Sequence, residues 1–148
     1  MTAPDSPPPV DEVPYVLDDQ VGYLLRLASQ RHAAIFLENG IDGLTPTQFA
    51  VLVRLDEMGE CSQNELGRRT AMDVATVKGV VDRLRAKGLI ALRPDPDDRR
   101  RTLIRLAGDD PRLMPALHAA GREITRRTLS PLTQAEQKTL LRLIRKIG

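Results

Sequence analysis

The chain has 148 residues and a formal net charge of +2, a length that fits one compact domain with or without an added oligomerisation element. Its single cysteine, Cys61, excludes an internal disulfide and a cysteine-based zinc site within one chain. The N-terminus lacks the basic and apolar segments of a secretory signal, and no apolar run approaches the ~20 residues that span a membrane, so we expect a cytoplasmic protein without a membrane partner.

The small net charge results from an uneven distribution of acidic and basic residues along the chain. Residues 1–20 carry five acidic residues and no Lys or Arg, and we expect residues 1–17, which are rich in Pro, to form a flexible acidic arm. Residues 62–106 carry eleven Lys and Arg against six Asp and Glu, and residues 122–148 carry seven against two. Two basic segments of this kind indicate binding to a polyanion.

The first predicted helix begins at Asp18 and Asp19 and ends at Asn39 and Gly40, since acids favour a helix start and Asn-Gly favours its end. A second helix follows from Thr45 and Pro46. Gln48 stands three residues after Thr45, as in a capping box. The predicted apolar positions are Val21, Leu24, Leu25, Ala28, Ile35 and Phe36 in the first helix, and Phe49, Val51, Leu52 and Leu55 in the second.

A third, short helix is predicted to start at a second capping box, Ser62 with Glu65, and to reach about Arg69. Asp73 caps a fourth helix that ends near Lys87, with Val77, Val80, Val81 and Leu84 as its apolar face. Two apolar runs, residues 89–92 and 103–106, then flank a tip of Pro and Asp, which predicts a hairpin with a long loop. Three arginines, residues 99–101, follow the tip, and their planar guanidinium groups suit phosphate and narrow minor grooves.

Two further helices are predicted, from Pro111 to about Leu129 and from Thr133 to Ile147, the latter with a capping box between Thr133 and Glu136. The expected fold is therefore mostly α with a small β-hairpin wing, in the order α-α-α-α-β-β-α-α. Residues 45–107 form a winged helix-turn-helix, preceded by a helical segment at 18–44 and followed by C-terminal helices at 108–148. Apolar stripes on the outer helices predict a homodimer: Leu113, Leu117, Ile124, Leu140, Leu141, Ile144 and Ile147.

Several short segments carry a family resemblance: residues 44–48 (LTPTQ), 62–66 (SQNEL), 87–90 (KGLI) and 95–100 (DPDDRR). With the order of elements, they resemble the MarR family of bacterial repressors over residues 18–147. The resemblance implies a homodimer on a pseudo-palindromic double-stranded operator, released when a small phenolic or aromatic molecule or an oxidant is sensed. Two departures are Asp73, where many members have serine, and Gly79 inside the fourth helix, which the resemblance makes the recognition helix.

The candidate DNA-binding residues follow from helix geometry and from the wing. Residues opposite the apolar face of the fourth helix point outward, and residues at the start of the third helix are placed to donate to phosphate. Asp82 would repel phosphate, so we expect it to orient Arg83 or another basic residue. The resemblance assigns Asp98 the positioning of Arg100. The predicted set is Ser62, Gln63, Ala75, Thr76, Lys78, Gly79, Arg83, Asp98, Arg99, Arg100 and Arg101.

The candidate effector site lies on the first helix, where Tyr23, Arg26 and Gln30 share one face. We expect Arg26 to be partly buried and to need an anionic partner, either a ligand carboxylate or an acid of the partner chain. His32 is a second polar contact or a surface histidine, and His118 could face the same crevice. Residues 18–26 look like those of members that sense aromatic acids, which implies an aromatic carboxylate or aromatic acyl-CoA effector and no cofactor.

Three other classes of protein fit the sequence less well. An enzyme is not expected, because two histidines, one cysteine and no Gly-rich phosphate loop give no catalytic constellation. A redox sensor at Cys61 is an alternative, although Glu57 and Glu60 would raise the thiol pKa. A winged-helix module that binds only protein is the other, although it does not explain the clustered arginines. The sequence favours a ligand-responsive transcriptional repressor.

Overall fold

The computed structural model describes Pro9 and residues 13–41 and 43–148, so most of the predicted acidic arm (residues 1–8 and 10–12) lies outside the described residues. A short 3-10 helix, Leu17–Asp19, precedes the first α-helix. In the described part of the chain, the elements in order are α1 (Val21–Asn39), α2 (Pro46–Met58), β1 (Cys61–Ser62), α3 (Gln63–Thr70), α4 (Val74–Ala86), β2 (Ile90–Pro94), β3 (Thr102–Leu106), α5 (Leu113–Leu129) and α6 (Gln134–Ile147). The predicted order of four helices, a hairpin and two helices is confirmed.

Local side-chain chemistry sets the starts of three helices as predicted. At α2, the backbone N–H of Gln48 donates to Thr45 Oγ1 (3.2 Å), and the backbone N–H of Thr45 donates to Gln48 Oε1 (3.3 Å). Thr133 and Glu136 form the same reciprocal pair at α6. At α4, the N–H of Thr76 donates to Asp73 Oδ1 (2.7 Å). Each cap satisfies donors that would otherwise have no partner within the helix.

Two predicted helix starts need correction. Asp18 and Asp19 do not open α1, because they lie in the 3-10 helix and Gln20 is the residue that precedes the first α-helical turn. The capping box at α3 forms only in half. The N–H of Glu65 donates to the Ser62 hydroxyl (3.3 Å), but the Glu65 carboxylate turns away and accepts from Arg68 and Arg69 instead.

The wing belongs to a three-stranded antiparallel sheet in the order β1-β3-β2. The predicted hairpin is confirmed, with Leu92 opposite Ile104. The strand β1 was not predicted; its Cys61 pairs with Ile104 and its Ser62 with Leu103. Since Ser62 also caps α3, this short strand fixes the start of α3 against the base of the wing.

The main core lies inside the winged module, where side chains of α2, α3, α4, the sheet and the first half of α5 meet. Its most deeply buried members are Val51, Leu52, Leu55, Leu66, Val77, Val81, Leu84, Ile104 and Leu117. The Lys87 ammonium closes one side of this module, donating to Gln48 Oε1 (3.1 Å) and to the carbonyl of Gly43. It thereby links the C-terminal end of α4 to the loop that follows α1.

A second, smaller cluster joins α1 to α5. It contains Ile35, Phe36 and Ile124, and Phe49 of α2 packs against it with its ring edge-to-face to Phe36 (centroids 5.7 Å apart). The prediction that the apolar stripe of α5 needs a second chain to cover it is therefore wrong, because Leu117 and Ile124 are buried within the same chain.

Apolar residues that remain exposed to solvent lie on the first and last α-helices, α1 and α6. On α1, Val21, Leu24, Leu25 and Leu27 are exposed, and α6 buries none of its residues. Among the described residues, no helix has the length and apolar character needed to cross a membrane.

Candidate DNA-binding and effector sites

The outer face of α4 is open to solvent as predicted. Val77 and Val80 are turned into the core, while Thr76, Lys78 and Arg83 are exposed. Asp82 contacts Lys78, whose ammonium lies 3.0 Å from Asp82 Oδ2, so Lys78 is the basic residue that this acid orients. The other predicted member of this face, Ala75, is also exposed.

Gly79 lies half-buried among these residues. A Cβ built on it would meet the Arg83 guanidinium at 3.6 Å, an ordinary van der Waals distance. A glycine inside a helix costs about 1 kcal/mol relative to alanine. The packing of this chain therefore gives no reason for glycine at position 79.

The tip of the wing is held by its aspartates. The backbone N–H of Arg100 donates to Asp98 Oδ1 (3.0 Å), and that of Asp97 donates to Asp95 Oδ1 (2.9 Å). Asp98 therefore positions Arg100 through the backbone of the turn and makes no ion pair with its guanidinium. Arg101 lies 4.0 Å from the buried Asp95 carboxylate. All three arginines, residues 99–101, are exposed.

An ion pair joins strand β2 of the wing to the residue that precedes β1. The Arg93 guanidinium donates two hydrogen bonds to the Glu60 carboxylate (2.8 and 2.5 Å), and this contact lowers the pKa of Glu60. Glu60 comes directly before β1 and Arg93 lies in β2. The pair was not predicted, since nothing in the local sequence relates residues 60 and 93.

A cleft of about 560 Å³ lies between α3 and the wing. Its walls are residues 62–64 at the start of α3, Arg68 on the next turn, and residues 100–102 of the wing. Ser62 is buried and its hydroxyl caps α3, so Gln63 is the more accessible of the two donors predicted there. Asn64 and Arg68 were not predicted as part of this site. The two adjacent arginines at positions 68 and 69 are the sequence feature that could have indicated Arg68.

The predicted effector residues are spread over α1 and α5. The Arg26 guanidinium lies over the Tyr23 ring, 5.3 Å from its centroid, which confirms that these two share a face. The expectation that Arg26 is partly buried is wrong for a single chain, because its side chain is exposed, as are nearly all residues of α1 before Ile35. Gln30 is exposed as well.

The two histidines already have partners. His32 Nδ1 lies 2.9 Å from Thr128 Oγ1 on α5, beside Arg31, whose guanidinium donates to the carbonyls of Arg127 and Thr128. His118 Nε2 lies 3.5 Å from the Asp56 carboxylate on α2. Within one chain the five residues therefore do not line a common pocket, and Tyr23, Arg26 and Gln30 form an open face.

Comparison with known proteins identifies the family. The sequence profile of the MarR family matches residues 42–101. The chain is 42% identical over 147 residues to the HTH-type transcriptional repressor NicR of Pseudomonas putida, covering 99% of this chain and 92% of that protein. It is 30% identical to the multiple antibiotic resistance protein MarR of Salmonella typhimurium, covering 86% and 90% of the two chains. The chain belongs to the MarR family.

The solved structures agree with this assignment. The MarR-family chain superposes on Bordetella bronchiseptica BpsR with a TM-score of 0.86 and 42% identity, over 91% of this chain and 97% of that one. In BpsR, DNA binding is regulated by 6-hydroxynicotinic acid. The protein is thus a DNA-binding transcriptional regulator of the repressor type, and the predictions of family, fold and a non-enzymatic role are confirmed.

The environment of Cys61 in this MarR-family protein disfavours thiolate chemistry. The side chain is buried, and its burial raises the thiol pKa, with Glu65 and Glu60 adding to the effect. Glu60 was predicted to raise the thiol pKa; the second carboxylate that does so is Glu65, four residues after Cys61, and not Glu57 as predicted. Since the thiolate is the reactive form, a raised pKa leaves the thiol protonated and poorly reactive.

Proposed function

We propose that this protein is a homodimeric repressor that places α4 in the major groove of a pseudo-palindromic operator, with the wing on the flanking DNA. The observation that carries the proposal is the continuity of the exposed face, in which α4, the start of α3 and the arginines of the wing adjoin one another. Helix-turn-helix dimers read two half-sites about one helical turn apart.

The homodimer is supported by the apolar surface left open in one chain. Leu24 and Leu25 on α1 and Leu143, Ile144 and Ile147 on α6 are each at least 40% exposed. Soluble monomers rarely leave such clusters in contact with water, and two-fold dimers are the most common assembly.

Operator binding is tested by titrating a mixed pool of DNA duplexes at two salt concentrations. A repressor that contacts phosphates loses affinity steeply as the salt concentration rises. Binding releases cations condensed on the DNA, and this release is less favourable when the solution already contains more cations. A winged-helix module that binds only protein would select no duplex from the pool and would show no such salt dependence.

We expect Gly79→Ala to change stability and DNA binding in opposite directions. Alanine removes the helix penalty of glycine, so the free energy of unfolding should rise by about 0.5–1 kcal/mol. Since packing within the chain does not require glycine at position 79, we expect this glycine to allow close approach of the DNA. The added methyl group should therefore weaken operator binding. Urea denaturation and fluorescence anisotropy measure the two effects, and unchanged operator affinity would show that Gly79 makes no close contact with DNA.

We further propose that the effector is a small aromatic acid whose carboxylate is held by Arg26. The open face of α1 offers the Tyr23 ring with the Arg26 guanidinium over it, and these two groups suit an aromatic carboxylate once a second chain closes the site. BpsR, a close structural match, responds to an acid of this class. By linkage, such a ligand releases DNA to the extent that it binds the DNA-free conformation more tightly.

Arg26→Ala is expected to leave operator affinity nearly unchanged and to make release insensitive to the acid. Operator release is measured against the concentration of 6-hydroxynicotinic acid for both proteins, with the neutral amide of that acid as the matched ligand control. Operator release is also measured with a coenzyme A thioester of an aromatic acid, because the free acid and the thioester share the aromatic ring. If the variant responds as the parent does, Arg26 does not hold the ligand.

A further inference from the structure

The cleft between α3 and the wing has an unusual charge balance. Three guanidinium groups, those of Arg68, Arg100 and Arg101, line it, and no carboxylate is among its lining side chains. Two acids contact these arginines without lining the cleft: Glu65 accepts from Arg68, and Asp95 Oδ2 lies 4.0 Å from Arg101 Nε. Like charges repel, so folding alone does not favour three cations around one space of about 560 Å³.

The same wall of the cleft continues toward the recognition helix. Gln63, Asn64 and Arg68 also line a neighbouring groove that ends at Asp73, Val74 and Val77, where α4 begins. Arg68 therefore stands between the start of α4 and the wing. A DNA strand that passes from the major groove at α4 to the wing crosses this position.

The Arg68 side chain is both held in place and open for binding. Among the described residues its guanidinium donates to Glu65, which also accepts from Arg69 (3.0 Å). The side chain of Arg68 remains 70% exposed. A guanidinium carries five N–H donors in a rigid fork, so most of them remain free to bind an anion after the pair with Glu65 has formed.

We infer that this cleft binds one backbone phosphodiester of the operator, held by Arg68 together with Arg100 and Arg101. The inference rests on the proposed operator binding and adds Arg68 as a sequence-independent contact that joins the recognition helix to the wing. Phosphate contacts fix the register of a protein on the duplex and carry no base information. Arg68 thus contributes to affinity for any duplex and leaves the choice of operator to α4.

The test compares Arg68→Ala with Arg69→Ala. The two residues are adjacent, both pair with Glu65, and only Arg68 lines the cleft. Affinity for the operator and for an unrelated duplex is measured by fluorescence anisotropy at several salt concentrations. Arg68→Ala should lose on the order of tenfold in affinity for both duplexes, and its plot of log K against log salt should be shallower by about one unit. Arg69→Ala should match the parent.

A third variant, Arg68→Lys, separates charge from folding, because an ammonium still neutralises a phosphate. It should keep the parent salt dependence while losing part of the affinity, and circular dichroism shows whether each variant is folded. Equal losses in the two alanine variants, an unchanged salt dependence in Arg68→Ala, or a loss confined to the operator would each overturn the inference. If the parent protein itself binds no duplex, it is the proposed function that fails.

Discussion

Arg100→Ala is expected to weaken operator binding by about 1–3 kcal/mol while the chain stays folded and keeps its oligomeric state. The side chain is exposed and lines the cleft beside the wing, so its loss removes a DNA contact and no core packing. The turn should persist in the variant, because Asp98 binds the backbone N–H of residue 100 and not its guanidinium.

Fluorescence anisotropy with an operator duplex at moderate salt measures this effect, and sedimentation checks the assembly. Arg122→Ala provides the matched control, since it removes an exposed arginine from α5, outside the wing and the cleft. Operator affinity equal to that of the parent would remove the wing from the mechanism.

Removal of residues 133–148 is expected to abolish both the proposed dimer and tight operator binding. The truncation deletes α6, whose apolar residues are uncovered in a single chain and can therefore pack on a second copy. Leu117 of α5 should stay buried after truncation, because it packs in the winged module. A protein that binds two half-sites through linked modules loses about 10²–10⁴-fold in affinity when the link is broken.

A point variant tests the same surface with less disturbance. Leu143 and Ile147 are four residues apart and share a face of α6, so Leu143→Glu places a charge in the expected interface. Lys138→Gln changes the net charge equally on another face of the helix and should remain dimeric. Sedimentation equilibrium and operator titration report both properties. A dimeric Leu143→Glu protein, or a truncated chain that stays dimeric, would place the interface elsewhere.

Features set by residues close in the chain were predicted well. Thr45 with Gln48, and Thr133 with Glu136, form their capping boxes as expected, because both partners lie within one helical turn. The alternation of buried and exposed residues on α4 follows from helix periodicity in the same way.

One error comes from competition for a single side chain within a helix, and the others come from contacts between residues far apart in the chain. The box at Ser62 is incomplete because Glu65 is drawn to two arginines on the next turn. The two-residue strand β1 exists only through its pairing with β3, about forty residues later, and has no local pattern of its own. The exposure of Arg26 depends on which elements cover α1, and the single chain covers only its C-terminal half. The position of Arg68 opposite the wing is likewise a product of tertiary structure.

The unequal sizes of the two apolar clusters have a consequence for the way in which the chain opens. The cluster in the winged module spans four helices and the sheet, whereas the one between α1 and α5 consists of Ile35, Phe36 and Ile124, with Phe49 packed against them. Segments with few buried contacts exchange their amide hydrogens through local openings that cost much less than global unfolding. We therefore expect α1 and α6 of an isolated chain to open at a lower free-energy cost than the winged module, and the pairing of two chains to raise that cost.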